Sequence, residues 1–99
     1  MIPFSPAARR QLRDLLGHYE RLERIEAIEN LRTALRRAAN RIRSQRGLYF
    51  AAPRPYPELS RLGFLWTKEG AYWIAYRVDP DGPRFYAICH EAADIPNRL

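Results

Sequence analysis

This chain has 99 residues, of which 46% are hydrophobic, and a formal net charge of +6. That length suits one domain, which buries roughly 65% of the surface that its unfolded chain exposes. No apolar run approaches the ~20 residues that cross a bilayer, and the start Met1-Ile2-Pro3 leaves no room for the charged and apolar regions of a signal peptide. We therefore expect a soluble, cytoplasmic protein that does not enter a membrane.

The charge comes almost entirely from arginine. Of the 17 basic residues 16 are arginine, and they face only 11 acidic residues. Because guanidinium groups fit carboxylates and phosphates equally well, this balance predicts an acidic partner, either nucleic acid or an acidic protein segment. The composition leaves open which of the two it is.

Two helices are predicted in the N-terminal half. Ser5-Pro6 has the pattern of an N-cap and a first helical residue, and the helix that follows is expected to end within Gly17–Leu22. A second helix is predicted from about Arg24 to Gln45. Its apolar stripe steps by three and four residues through Ile28, Leu31, Leu35, Ala38 and Ile42. The short link between the two predicts an antiparallel helical hairpin.

Charges are segregated along the second helix. Glutamates crowd its beginning, whereas its C-terminal half carries arginines with no acid among them: Arg32, Arg36, Arg37, Arg41, Arg43 and Arg46. This order complements the helix dipole by ~0.3–1 kcal/mol for each charge, so the helix itself explains part of it. Two interpretations remain, a solvated face and a surface that contacts an acidic partner.

Three strands are predicted in the C-terminal half, after an extended, proline-rich connector over Leu48–Glu58. The strands are Ser60–Thr67, Tyr72–Val78 and Arg84–His90, with turns at Lys68–Gly70 and Asp79–Pro83. Ile2–Phe4 is a candidate short edge strand. The predicted fold class is α+β, with the helical hairpin packed on a three-stranded antiparallel meander that the N-terminal strand would extend.

The middle strand has two unlike faces. Tyr72 and every second residue up to Val78 should pack on the helices, so the residues between them face away. The predicted outward set is Trp73, Ala75 and Arg77, with Trp66 or Lys68 and either Tyr86 or His90 nearby. Aromatics mixed with arginine and histidine suit RNA bases and phosphates, and equally a protein interface. Alternatively, Trp66 and Trp73 only cover the second face of a thin sheet.

Neither a metal, nor a cofactor, nor covalent catalysis is indicated by any motif. His18, Cys89 and His90 lack the spacing of zinc ligands, and the isolated glycines form no phosphate-binding loop. The single cysteine, Cys89, excludes an intramolecular disulfide and is interpreted as a buried thiol inside a strand. We expect no metal, no cofactor and no covalent nucleophile.

In their order along the chain, these pieces resemble the ParE/RelE toxin superfamily, and its ParE-like branch in particular. The resemblance rests on Phe4-Ser5-Pro6-Ala7-Ala8, on Gly70-Ala71-Tyr72-Trp73-Ile74-Ala75-Tyr76-Arg77 and on the ending His90-Glu91-Ala92-Ala93-Asp94-Ile95-Pro96-Asn97-Arg98-Leu99. It covers nearly the whole chain and is weakest over Gly47–Glu58. Membership implies a toxin of a type II toxin–antitoxin pair, neutralised by a cognate antitoxin whose acidic, partly disordered C-terminal segment wraps the toxin. Such a partner fits the net charge and the arginine-rich helix.

Branches of this superfamily differ in their target. RelE-type members are ribosome-dependent mRNA endoribonucleases that stabilise a phosphate transition state with basic side chains, often with a histidine or tyrosine for proton transfer. ParE-type members lack that set and resemble gyrase poisons. Here Trp73 stands where the RNases carry one arginine, and Glu91–Ala93 offers no cation for the second. The resemblance therefore implies a gyrase inhibitor with no catalytic residues; an RNase would have to use Lys68, Arg77, Tyr86 and His90.

Three hypotheses follow: a ParE-like gyrase inhibitor, a ribosome-dependent RNase, and an inactive relative that only binds antitoxin. For partner binding the candidate residues are Arg32, Arg36, Arg37, Arg41, Arg43, Trp66, Trp73, Arg77, His90 and Arg98.

Overall fold

The computed structural model describes residues 2–44, 53, 58–59 and 63–92. Its elements are α1 (Pro6–Arg21), α2 (Ile25–Ser44), β1 (Leu65–Glu69), β2 (Tyr72–Asp79) and β3 (Gly82–His90). The strands form one antiparallel sheet in the order β1-β2-β3. On this sheet α1 packs mainly against β3, and α2 against β1 and β2. This α+β architecture confirms the predicted fold class. Most of the predicted connector lies outside the described residues.

Both helices begin and end where their local signals predict. The Ser5 hydroxyl accepts a hydrogen bond from the Ala8 N–H at 3.1 Å, which satisfies one of the free donors of the first turn of α1. Between the helices the chain reverses through Glu23, whose φ of 53° lies in the left-handed region. There the Arg24 N–H donates to the Tyr19 carbonyl at 2.9 Å. Neither helix is long and apolar enough to cross a membrane, as judged over the described part of the chain.

Alanine dominates the side of α2 that packs on the sheet. Leu31, Leu35 and Ala38 of the predicted stripe are buried, whereas Ile28 and Ile42 are only partly buried. The buried residues of α2 are Ala27, Leu31, Ala34, Leu35, Ala38 and Ala39. Small side chains let a helix approach a sheet closely, so the burial extends beyond the predicted apolar positions.

The inner face of the sheet, which meets the helices, carries Tyr72, Ile74 and Tyr76 as predicted. Phe85 and Ile88 of β3 join them in the same core cluster. Val78 does not: it is 64% exposed because it lies at the turn end of the β2–β3 hairpin, next to the exposed Pro80–Asp81 turn. The alternation of the strand predicted the face correctly but not where burial ends.

The outer face of the sheet, opposite the helices, is covered by residues of the chain itself. A second core cluster there joins Trp66, Ala75, Ala87 and Cys89 with Leu59, which comes from the connecting segment before β1. Phe64 and Trp73 are partly buried against it. The sheet is therefore sandwiched between the helical hairpin and this smaller cluster, and the predicted burial of Cys89 is confirmed.

Strand limits differ from the prediction at the first hairpin. Lys68 and Glu69 lie in β1, where they pair with Trp73 and Tyr72, and not in a turn. The turn is formed by Gly70 and its neighbour Ala71, and the φ of Gly70 is 58°, a conformation that favours glycine. β1 starts only at Leu65, because the chain still turns at Gly63 with a φ of 74°.

The second turn is also shorter than predicted. Pro80 and Asp81 alone connect the strands, and β3 already starts at Gly82, with Pro83 paired to Val78. At the other side of β3 the N-terminal segment makes one parallel bridge, Phe4 to Phe85, in place of a full strand. Two backbone hydrogen bonds of 2.8 and 2.9 Å hold this bridge.

Candidate functional site

The arginine face of α2 consists of Arg32, Arg36, Arg37, Arg41 and Arg43, and all five side chains are exposed. Arg32, Arg36 and Arg37 form no ion pair with any other described residue. Residues four apart on a helix lie on the same side, so Arg32 and Arg36 form one row and Arg37 and Arg41 a second. The face thus presents positive charge that the described part of the chain does not neutralise.

Arg41 is the exception within this face. Its Nε lies 2.7 Å from Oε1 of Glu69, a carboxylate that is only 4% exposed at the end of β1. Oε1 accepts no hydrogen bond from the described residues, so the contact is electrostatic. Arg41 therefore compensates a buried charge of the sheet, and a structural role is expected in addition to any contact with a partner. The predicted turn at Lys68–Gly70 did not suggest that Glu69 would be buried.

Arg77 forms a closed trio with Asp79 and Tyr86. Its Nε donates to Asp79 Oδ1 at 3.0 Å and its Nη2 donates to the Tyr86 hydroxyl at 3.0 Å, while that hydroxyl donates to Asp79 Oδ2 at 2.6 Å. The Tyr86 hydrogen bond, followed by that of Arg77, lowers the pKa of Asp79. The hydrogen bond to Asp79, followed by that to Tyr86, raises the pKa of Arg77. The charge of Arg77 is thus balanced locally.

A β-bulge brings Tyr86 into this trio. Ala75 pairs with Ala87 but the next residue, Tyr76, pairs with Phe85, so Tyr86 is the extra residue of β3. Its ring lies 4.6 Å below the Arg77 guanidinium and stacks on Phe64 at 5.2 Å. Sequence reasoning named Arg77 and Tyr86 but missed Asp79 and Phe64. Strand alternation gives no sign of a bulge, which depends on how the partner strand is paired.

Lys68 lies at a different place on the sheet. Its Nζ is 2.8 Å from Glu91 Oε2 and 5.9 Å from the centre of the Trp73 ring. The Lys68 hydrogen bond lowers the pKa of Glu91. Glu91 therefore forms an ion pair with Lys68, one of the four residues that RNA cleavage would use.

His90 faces the helices and not the outer side of the sheet. Its ring packs edge-on against Tyr72 at 5.5 Å, and its Nδ1 accepts the Ala92 N–H at 3.1 Å. Of the two alternatives predicted beside Arg77, the structure places Tyr86 there and His90 on the opposite face. Cys89, the preceding residue, belongs to the outer cluster.

The four residues that RNA cleavage would require are therefore not assembled at one point. Arg77 and Tyr86 are in contact, Lys68 pairs elsewhere and His90 lies on the other face. Trp66, named for partner binding, is fully buried and presents no surface to a partner, because the outer cluster covers it. Arg98 lies outside the described residues.

No three histidine, cysteine, aspartate or glutamate side chains come together as a metal site within residues 2–44, 53, 58–59 and 63–92. Comparison of the chain with protein-family models finds no match, and comparison with curated proteins finds none either. The function of this chain is therefore inferred from its fold and from the geometry of these side chains.

Proposed function

We propose that this chain is a ParE-like toxin of a type II toxin–antitoxin pair, which acts in the cytoplasm, inhibits growth by binding DNA gyrase, and is neutralised by an antitoxin with an acidic C-terminal segment. The observation that carries the proposal is the arginine face of α2, in which Arg32, Arg36 and Arg37 have no ion pair among the described residues, on a helical hairpin packed against a three-stranded sheet. The gyrase target itself rests on the resemblance in the sequence.

Arg32 and Arg36 are the strongest candidates for contacting the antitoxin. They are exposed, they lie one turn apart on the same side of α2, and neither is paired within the described residues. An acidic segment would be attracted to this row by long-range electrostatics and held by charge-assisted hydrogen bonds, with strong dependence on salt. Arg41 is a weaker candidate, because its charge is already used by Glu69.

The scattered positions of the RNase candidates favour binding over catalysis. A phosphate transition state needs cations and a proton donor converging on one group of atoms. Here Lys68 is paired with Glu91, Arg77 is balanced by Asp79, and His90 lies on the opposite face of the sheet.

Induced expression in a bacterium without the antitoxin tests the target. DNA and protein synthesis are followed by pulse labels through the first minutes, and we expect DNA labelling to fall while translation continues. An immediate halt of protein labelling would reject the gyrase target. Unaffected growth would instead support the inactive, antitoxin-binding relative.

The partner surface is tested separately with the double variant Arg32→Glu/Arg36→Glu. We expect it to weaken binding to the cognate antitoxin by more than tenfold, whereas Arg9→Glu/Arg13→Glu on α1, which has the same spacing and the same charge change, should bind nearly as the wild type does. Equal affinities for all three proteins would rule out the arginine face as the contact surface.

A second candidate function, ribosome-dependent RNA cleavage, is favoured by one observation. The Tyr86 hydroxyl is in hydrogen-bond contact with the Arg77 guanidinium group, so a proton donor and a cation lie side by side, as proton transfer to a phosphate ester would need. On this hypothesis Tyr86→Phe abolishes cleavage of ribosome-bound mRNA and His90→Ala, on the other face, leaves it intact. Absence of cleavage by the wild-type protein would dispose of this alternative.

A further inference from the structure

A cleft of about 470 Å³ lies between α2 and the Gly70–Ala71 turn, on the inner side of the sheet. Tyr19 and Tyr72 border it and are buried, whereas Arg24 and Arg37 border it and are exposed. We call it the helix–sheet cleft. Of the four RNase candidates Lys68, Arg77, Tyr86 and His90, only His90 borders it.

The two buried tyrosines leave one hydroxyl proton without an acceptor. Their hydroxyl oxygens are 2.6 Å apart, so one phenol donates to the other, and the second phenol retains its own proton. No other described residue accepts it. Burial, followed by the hydrogen bond to Tyr19, raises the pKa of Tyr72, so the Tyr72 phenol stays protonated at neutral pH. An unused buried donor is costly, and an acceptor in the cleft would relieve that cost.

His90 supplies a second donor at the border of the cleft. Its Nδ1 accepts the Ala92 N–H, which a protonated nitrogen cannot do, so the ring proton is on Nε2. Among the described residues nothing accepts from Nε2. Within the described part of the chain, the cleft is thus bordered by two unused donors, the free phenol proton and His90 Nε2–H, and by one acceptor without a hydrogen bond, Glu69 Oε1, which lies against Arg41.

Two guanidinium groups stand at the exposed part of the cleft. Arg37 has no ion pair within the described residues, and neither does Arg24, which lies 5.9 Å from the centre of the Tyr19 ring. Two acids also border the cleft: Glu69, which is compensated by Arg41, and Glu26, which is exposed at the start of α2. The balance of the polar groups thus favours a negatively charged occupant over a cation.

We propose that the helix–sheet cleft is an oxyanion-binding site, in which Arg24 and Arg37 hold a phosphate or carboxylate group and the free phenol proton of the Tyr19–Tyr72 pair donates to it. Both chemistries present oxygen acceptors with negative charge, which guanidinium groups bind in a bidentate manner. The site shares Arg37 with the arginine face, but it can be tested apart from the toxin proposal because it uses neither the Arg32–Arg36 row nor the outer face of the sheet.

Calorimetric titration of the full chain at low salt, with inorganic phosphate in one arm and glutarate in the other, tests the site. Saturable binding of one anion per chain is expected in at least one arm, and the comparison of arms shows whether phosphate or carboxylate is preferred. Absence of saturable binding of either anion would overturn the proposal.

Matched variants then locate the anion. Arg37→Gln removes one charge-assisted hydrogen bond and should weaken anion binding about tenfold. Arg36→Gln changes the adjacent arginine, which lies outside the cleft, and should leave anion binding unchanged. The double variant Tyr19→Phe/Tyr72→Phe, which removes both phenol protons, should weaken anion binding several-fold, and Glu26→Gln should strengthen it. If the double variant does not fold, the comparison of Arg36 with Arg37 still decides, because both side chains are exposed. Equal losses in these two variants would mean diffuse attraction to the arginine-rich helix and no defined site.

Discussion

Replacing Arg41 by alanine is expected to destabilise the fold, although its side chain is 47% exposed. The reason is its partner: Glu69 is 4% exposed, and the Arg41 Nε at 2.7 Å is its only ion-pair partner among the described residues. Without the guanidinium group a carboxylate would remain in the protein interior with no compensating charge. Arg37→Ala, four residues earlier on the same helix and without such a partner, serves as the matched control.

The magnitude follows from how far the pair is buried. Breaking a fully buried pair costs about 3–5 kcal/mol, and exposed pairs contribute about 0.2–1 kcal/mol. The Arg41–Glu69 pair has one buried and one half-exposed member, and Oε1 accepts no hydrogen bond from the described residues, so we expect a loss of about 2 kcal/mol. Arg37→Ala should change the free energy of unfolding by less than about 0.5 kcal/mol.

Urea unfolding followed by circular dichroism measures both variants, and a common m-value would show that only stability changed. Adding Glu69→Gln to Arg41→Ala should recover part of the loss, because a neutral amide is less costly to bury than an unpaired carboxylate. Equal stabilities of Arg41→Ala and Arg37→Ala would refute the reasoning. A confirmed loss would also mean that weakened antitoxin binding by Arg41→Ala cannot be attributed to a lost contact.

Three further predictions concern the sheet. Trp66→Ala should lower the free energy of unfolding in urea by about 3–5 kcal/mol, because Trp66 is fully buried. Trp73 is only partly buried, so Trp73→Ala should lower it clearly less, and similar losses in both variants would contradict the outer cluster. Asp79 has a lowered pKa, so its stabilising effect is present above an ordinary carboxyl pKa of about 3.9 and is lost as the pH falls through the folded-state pKa. Asp79→Asn should therefore flatten the acid side of the stability profile, and an unchanged profile would contradict the trio with Tyr86. Tyr72 has a raised pKa, so stability should fall above about pH 10, where only the unfolded phenol ionises; Tyr72→Phe should reduce that fall, as measured by unfolding across alkaline pH.

The helices were predictable because their signals are local. Ser5 and Pro6 mark the start of α1 within a few residues of chain, and the three-and-four spacing of Leu31, Leu35 and Ala38 identifies the buried side of α2. The inner face of β2 was predictable for the same reason, since alternation is a property of the strand alone. The left-handed Glu23 between the helices carries no such signal, because glutamate rarely adopts that conformation.

The candidate site was only partly predictable. Arg77 and Tyr86 were named, but their contact depends on the bulge opposite Ala75, which shifts one residue of β3 relative to β2. His90 was predicted only as an alternative to Tyr86 beside Arg77, and the pairing of β3 places it against Tyr72 on the other face. Register is decided between strands, so one strand read alone cannot reveal it.

By itself, the sequence determined the α+β class, the two helices, the inner face of the middle strand and the concentration of arginine along α2, all of which follow from short-range patterns of polarity. Only the tertiary structure decided that Trp66 is covered by Leu59 and that Glu69 is buried against Arg41. It also decided that Tyr19 and Tyr72, 53 positions apart, share a hydrogen bond at the helix–sheet cleft. The physical reason is common to these cases. Burial and charge compensation depend on which distant segment packs against a residue, and the spacing of residues along the chain does not identify that segment.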